Sequence, residues 1–143
     1  MQREDFNALA KQGLNRIPLI KEVLADLETP LSLYVKLTQA FGNTNTYLLE
    51  SVLGGERFGR FSFIGLPAKT IIKTVGTPSA PVNEVITDGK LVESNTDNPL
   101  DFVDAYFKRF KVALPPGLPR FCGGLAGYFG YDTVRYIESR LAK

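Results

Sequence analysis

Histidine and tryptophan are both absent from the 143 residues, and cysteine and methionine each occur once, as Cys122 and Met1. Without histidine and with one thiol, the chain cannot build a disulfide scaffold, a Cys/His zinc site, a Ser-His-Asp triad or a Cys-His nucleophile pair. Any acid or base chemistry would fall to carboxylates, lysine or tyrosine. Long apolar runs are also missing: no stretch approaches the roughly eighteen residues that a membrane helix needs. The opening Met-Gln-Arg-Glu-Asp has no apolar core behind it, so neither a signal peptide nor a membrane span is expected, and the expected compartment is the cytoplasm. Nor does one sign of charge dominate. Seventeen Lys and Arg against fifteen Asp and Glu leave a formal +2, interspersed rather than gathered into the basic patch by which a nucleic-acid binder displaces counterions.

What is present is a core-forming composition. Hydrophobic residues make up 44% of the chain, with ten Phe and six Tyr, enough for one ordinary domain and too much for a disordered segment. Phe6, Leu9, Ala10 and Leu14 recur at helical spacing, which predicts a short helix over 3–15. Ile17 to Val23 is an apolar run split by Pro18 and suits an edge strand or extended segment. Thr29-Pro30 is a helix start, an N-cap followed by proline in the first turn, and Gly42 is its stop. Apolar runs over 47–52 and 60–66 predict an antiparallel pair, and 70–75 a third strand after Pro67. Residues 77–81 read as a loop, and 85–92 as a hairpin turning at Asp88-Gly89, the dipeptide that tolerates positive φ. Asn98-Pro99 opens another helix, apolar at Leu100, Val103, Phe107 and Phe110, with Asp101 and Asp104 near the start serving the dipole. Leu114 to Pro119 is a turn and a candidate subdomain seam within 112–120. Asp132 is a candidate cap for a last helix through Val134 and Ile137. The expected class is α+β, a mostly antiparallel sheet with flanking helices.

Three motifs bear on chemistry. The run Leu48-Leu49-Glu50-Ser51 ends an apolar strand in a carboxylate and a hydroxyl beside Gly54-Gly55. Those groups either bind a small polar ligand or face solvent and satisfy turn amides. Alternation puts Glu50 and Ser51 on opposite faces unless a bulge intervenes. Arg57 and Arg60 lie across the loop, for a cross-strand ion pair or for a ligand carboxylate. The segment Gly123-Gly124-Leu125-Ala126-Gly127-Tyr128-Phe129-Gly130-Tyr131-Asp132 has neither the G-x-G-x-x-G order nor the Lys-Ser/Thr pair of a phosphate loop. Its glycines read as a strand against which another backbone packs closely. Cys122 reads as a buried small hydrophobe.

Taken in order, Ala25-Asp26 through Thr29-Pro30 with Lys36-Leu37, then Leu48-Leu49-Glu50-Ser51, then Gly59-Arg60-Phe61-Ser62-Phe63-Ile64-Gly65, then Gly123 to Tyr128 with Tyr131-Asp132, resemble the N-terminal part of anthranilate synthase component I. The resemblance covers nearly the whole chain. It implies that residues 1–143 are the N-terminal regulatory portion of a chorismate-using enzyme and an incomplete part of a larger two-sheet sandwich. It also implies that the Leu-Leu-Glu-Ser strand lines an L-tryptophan feedback site, with Ser51, Glu50, Leu49 and Arg60 as ligand residues. The chorismate and Mg²⁺ sites belong, on this resemblance, to a C-terminal part beyond Lys143. Within this chain no catalytic, cofactor or metal residue is then expected, and the portion alone is expected to be inactive. Use of glutamine would need an amidotransferase subunit, component II. Uncovered apolar edges near Phe121 to Phe129 would favour self-association. Para-aminobenzoate synthase component I and a freestanding amino-acid sensor are the alternatives, and a nucleic-acid module a remote third.

Overall fold

A computed structural model describes residues 1–50, 61–118 and 121–141. Among the described residues three α-helices, α1 (Arg3–Lys11), α2 (Pro30–Phe41) and α3 (Pro99–Phe107), accompany five strands: β1 (Tyr47–Leu49), β2 (Phe63–Gly65), β3 (Thr70–Thr77), β4 (Ala80–Thr87) and β5 (Lys90–Asn95). The strands form two small antiparallel sheets, β1-β2 and β3-β4-β5, so the α+β expectation is borne out. The chain divides into two compact units, one of residues 1–22, 72–85 and 91–143, the other of residues 23–71 and 86–90.

Among the described residues of the first unit the buried apolar side chains are Val85, Pro99, Phe102 and Ala113, joined by the fully buried Asn83. Asn83 is tolerable there because its amide is fully bonded. Its Oδ1 accepts from Thr74 Oγ1 at 2.8 Å, and its Nδ2 donates to Asn95 Oδ1 and to the Asp97 carbonyl, both at 2.9 Å. One side chain on β4 thereby ties β3, β5 and the approach to α3 together. Asn98 caps α3 through Leu100 N at 2.9 Å. An aromatic ladder runs on from its buried face, Phe102 to Tyr106 at 6.1 Å and Tyr106 to Phe110 at 5.5 Å edge-on.

The segment after α1 is pinned to the segment after α3. Asn15 Nδ2 donates to the Arg109 carbonyl at 2.8 Å, Lys111 N donates to Asn15 Oδ1 at 2.7 Å, and the Arg16 guanidinium lies 4.4 Å from the Phe110 ring centre. Arg109 itself forks onto both Glu93 oxygens, at 2.6 and 2.7 Å. Helix α1 is shorter than its apolar spacing predicts. Of the two readings for 17–23, an edge strand or an extended segment, no strand forms there, consistent with Pro18 removing a ladder donor; a single parallel bridge, Arg16 to Val112, lies just before it.

In the second unit α2 begins and ends as its sequence dictates. Thr29 Oγ1 accepts from Ser32 N at 3.0 Å and Ser32 Oγ accepts from Thr29 N at 2.9 Å, with Pro30 in the first turn and Gly42 at φ 98° as the stop. The Glu28 carboxyl sits below its ordinary pKa because it takes hydrogen bonds from Lys36 and then Ser32. The Asp88-Gly89 turn has φ of 50° and 76°, as expected of a tight hairpin between β4 and β5.

Elsewhere the structure departs from the sequence pattern. Residues 77–81 are not an open loop, because β3 and β4 run on to a two-residue turn at Pro78-Ser79. The glycine-rich segment forms no strand among its described residues. Cys122, just before it, is exposed rather than the buried small hydrophobe expected. The last helix is two 3₁₀ turns, Tyr131–Tyr136 and Ser139–Leu141. Asp132 does not cap it; its carboxylate accepts from Arg135 Nε at 2.9 Å.

Candidate functional site at the end of the first strand pair

The Leu-Leu-Glu-Ser motif is placed by α2 and the turn behind it. Tyr34 on α2 bonds its hydroxyl to Thr46 Oγ1 at 2.8 Å, and Thr46 Oγ1 reaches back to the Asn43 carbonyl at 3.1 Å. Asn45 takes the left-handed conformation at φ 55°, which asparagine tolerates better than most residues. The chain is thereby turned from the helix end directly into β1. There Tyr47 pairs with Gly65, Leu48 with Ile64 and Leu49 with Phe63.

This register gathers an apolar row. Tyr47, Leu49 and Phe63 share one face, and Phe61, two residues before Phe63, lies with its ring centre 6.2 Å from that of Phe63. Leu49 and Phe61 are each about half exposed, at 50% and 51%. The strand stops at Leu49, and Glu50 follows it with an exposed side chain. Two of the expected ligand residues, Leu49 and Glu50, are therefore adjacent at an open strand end bordered by aromatics. Ser51, Arg60 and Arg57 lie outside the described residues. Phe61 and Phe63 were not singled out as site residues from the sequence. Their signal was the Phe-Ser-Phe alternation, which places two rings on one strand face only once a strand is granted.

Chemically, the strand end offers an apolar wall suited to an aromatic or aliphatic group and a carboxylate suited to an ammonium. A separate open groove of about 590 Å³ in the same unit is bordered by Phe41, Leu66, Pro67, Ile71 and Ile86, with Lys69 and Asp88. It lies past the opposite end of β2, and neither Leu49 nor Glu50 lines it. Among the described residues no three His, Cys, Asp or Glu side chains gather as a metal site, so they give no fit for the Mg²⁺ that the resemblance implies for the longer enzyme. No described helix is long and apolar enough to cross a membrane.

No family model matches the chain, and no solved structure matches it. Curated proteins do. Anthranilate synthase component 1 of Pseudomonas putida is 54% identical over 142 residues, 99% of this chain and 27% of that protein. The protein of the same name from Neisseria meningitidis serogroup B is 51% identical over 138 residues, 96% of this chain and 27% of its own length. That of Pseudomonas aeruginosa is 51% identical over 143 residues, 99% of this chain and 28% of its own. The chain thus spans about a quarter of the length of the curated relatives it matches, in their N-terminal portion. The resemblance carried by the four ordered motifs is borne out.

Proposed function

We propose that this chain, similar over nearly all of its length to the N-terminal portion of anthranilate synthase component 1, acts as the regulatory portion of such an enzyme and carries part of an L-tryptophan feedback site. The observation that carries the reading is the 54% identity over 142 residues. In this reading the ligand's ammonium is met by the Glu50 carboxylate and the Ser51 hydroxyl, its carboxylate by Arg60, and its indole by Leu49 with Phe61 and Phe63. Glu50 lies past the last paired residue, so strand alternation does not hold its side chain away from Leu49.

The complete enzyme would convert chorismate and ammonia, or glutamine nitrogen delivered by component II, into anthranilate and pyruvate in the cytoplasm, with Mg²⁺ held outside these 143 residues. No residue of this chain is assigned a catalytic role, and the portion alone is expected to be inactive in that lyase reaction.

The chain contains no tryptophan, so added L-tryptophan is the only indole in the sample and reports its own binding by emission anisotropy. Saturable binding that Ser51→Ala abolishes supports the reading. If anisotropy fails to rise both here and with the longer polypeptide, the assignment of a tryptophan site to this strand is wrong.

A further inference from the structure

Gly65 is paired directly with Tyr47, and the Tyr47 ring lies across it. A Cβ at Gly65 would stand 2.1 Å from Tyr47 Cε1, 2.5 Å from Cδ1 and 2.6 Å from Cζ, far inside van der Waals contact. Only a residue without a side chain leaves room for the ring there. The backbone conformation does not demand glycine, since Gly65 is not among the residues with positive φ. Close approach is what remains to explain it.

An aromatic ring laid over a cross-strand glycine covers exposed backbone and discourages slippage, because a one-residue slip would set the ring against a side chain instead. Here the neighbours of Gly65 on β2 and after it are Ile64 and Leu66, neither of which could accept a ring in that position. The β1-β2 pair is only three residues long on each side, so it has few other contacts to specify its register. The upstream end of β1 is already tethered to α2 through Tyr34 and Thr46. The Tyr47 ring completes a line of fixation that leaves Leu49 opposite Phe63.

We infer that Gly65 is a positioning residue for the ligand site: by admitting the Tyr47 ring it fixes the register that sets Leu49 beside Phe63 and delivers Glu50 at the strand end. The placement of the ligand rests on the tryptophan reading above; the register lock does not. Gly65→Ala forces the ring off β2 or parts the strands, and either outcome frees the register. Tyr47→Val lacks the δ, ε and ζ ring atoms and still favours a strand, so it removes the ring from Gly65 without introducing a clash.

Two measurements on the same variants test this. Cross-strand NMR contacts between Leu49 and Phe63 report the register without ligand, and L-tryptophan anisotropy reports affinity. Gly65→Ala is expected to lose the Leu49 to Phe63 contacts and to weaken tryptophan binding at least tenfold, and Tyr47→Val, which keeps Gly65 but has no ring to lay over it, is expected to lose the contacts as well. Should Gly65→Ala unfold the second unit, Tyr47→Val, which introduces no clash, still decides the matter. Unchanged contacts in Gly65→Ala, or in Tyr47→Val, overturn the inference. A register that responds as described while neither any variant, wild type included, nor the longer polypeptide binds tryptophan refutes the ligand reading and leaves the lock standing.

Discussion

Asn83 gives the sharpest test of how the first unit is held together. It is fully buried, and all three of its side-chain hydrogen bonds go to groups on other segments: Thr74 on β3, Asn95 on β5 and the Asp97 carbonyl before α3. Asn83→Ala removes three bonds whose net worth is about 1 kcal/mol each. Thr74 and Asp97 are exposed and regain water in the variant, while Asn95 is only partly open, so the expected loss is about 2 to 3 kcal/mol. For a chain of this size that lowers Tm by about 6 to 12 °C. Asn83→Asp keeps the acceptor for Thr74 but turns a carboxylate toward Asn95 Oδ1 and the Asp97 carbonyl. An uncompensated buried charge raises the expected cost at neutral pH to about 3 to 5 kcal/mol. Protonation of that carboxyl restores a donor, so the gap between the two variants should close as pH falls below about 5. Urea unfolding followed by circular dichroism at pH 7 and at pH 4.5 measures this. An Asp variant more stable than the Ala variant at pH 7, or an Ala variant within 0.5 kcal/mol of wild type (about the scatter of a surface substitution), would refute the network as the tie among these strands.

Further outcomes follow from single contacts. The Glu93 carboxyl is held below its ordinary pKa chiefly by its hydrogen bonds from Arg109, so its stabilisation is present above the ordinary Glu value of about 4.3 and is lost as pH falls through the depressed one. Glu93→Gln should therefore lower the urea midpoint at pH 7 and match wild type near pH 2; an undiminished difference in acid contradicts the pairing. Thr29→Ala removes the N-cap of α2 and should cost about 1 kcal/mol, read as faster amide exchange in its first turn. Gly89→Ala meets no atom within 4 Å, so its cost is backbone strain at φ 76° alone, about 1 to 2 kcal/mol by the same unfolding assay. Tyr128 and Tyr131 are almost wholly exposed and Phe129 largely so, which predicts self-association with rising concentration. A monomer by light scattering across a hundredfold concentration range would overturn that.

Local chemistry in the sequence was sufficient to define α2, the Asp88-Gly89 turn and the start of α3. Each depends on groups a few residues apart: Thr29 with Ser32, a dipeptide that accepts positive φ, Asn98 with Leu100. The pairing of the Leu48-Leu49 strand with Phe63-Ile64 was legible from two apolar, aromatic-rich runs that follow one another in the sequence. Site residues Leu49 and Glu50 were named from sequence by motif alone, and only the pairing showed which aromatics stand beside them.

Tertiary structure decided the rest. Whether Cys122 is buried depends on what the fold lays over it, and in the folded chain it is exposed. The glycine-rich run reads as a strand, yet a strand exists only where a partner supplies its hydrogen bonds. Asp132 had a cap's position but found Arg135. Asn83 carried no signal at all in one dimension. A buried amide becomes a tie only when residues nine, twelve and fourteen positions away converge on its two ends, and that convergence is a property of the folded chain.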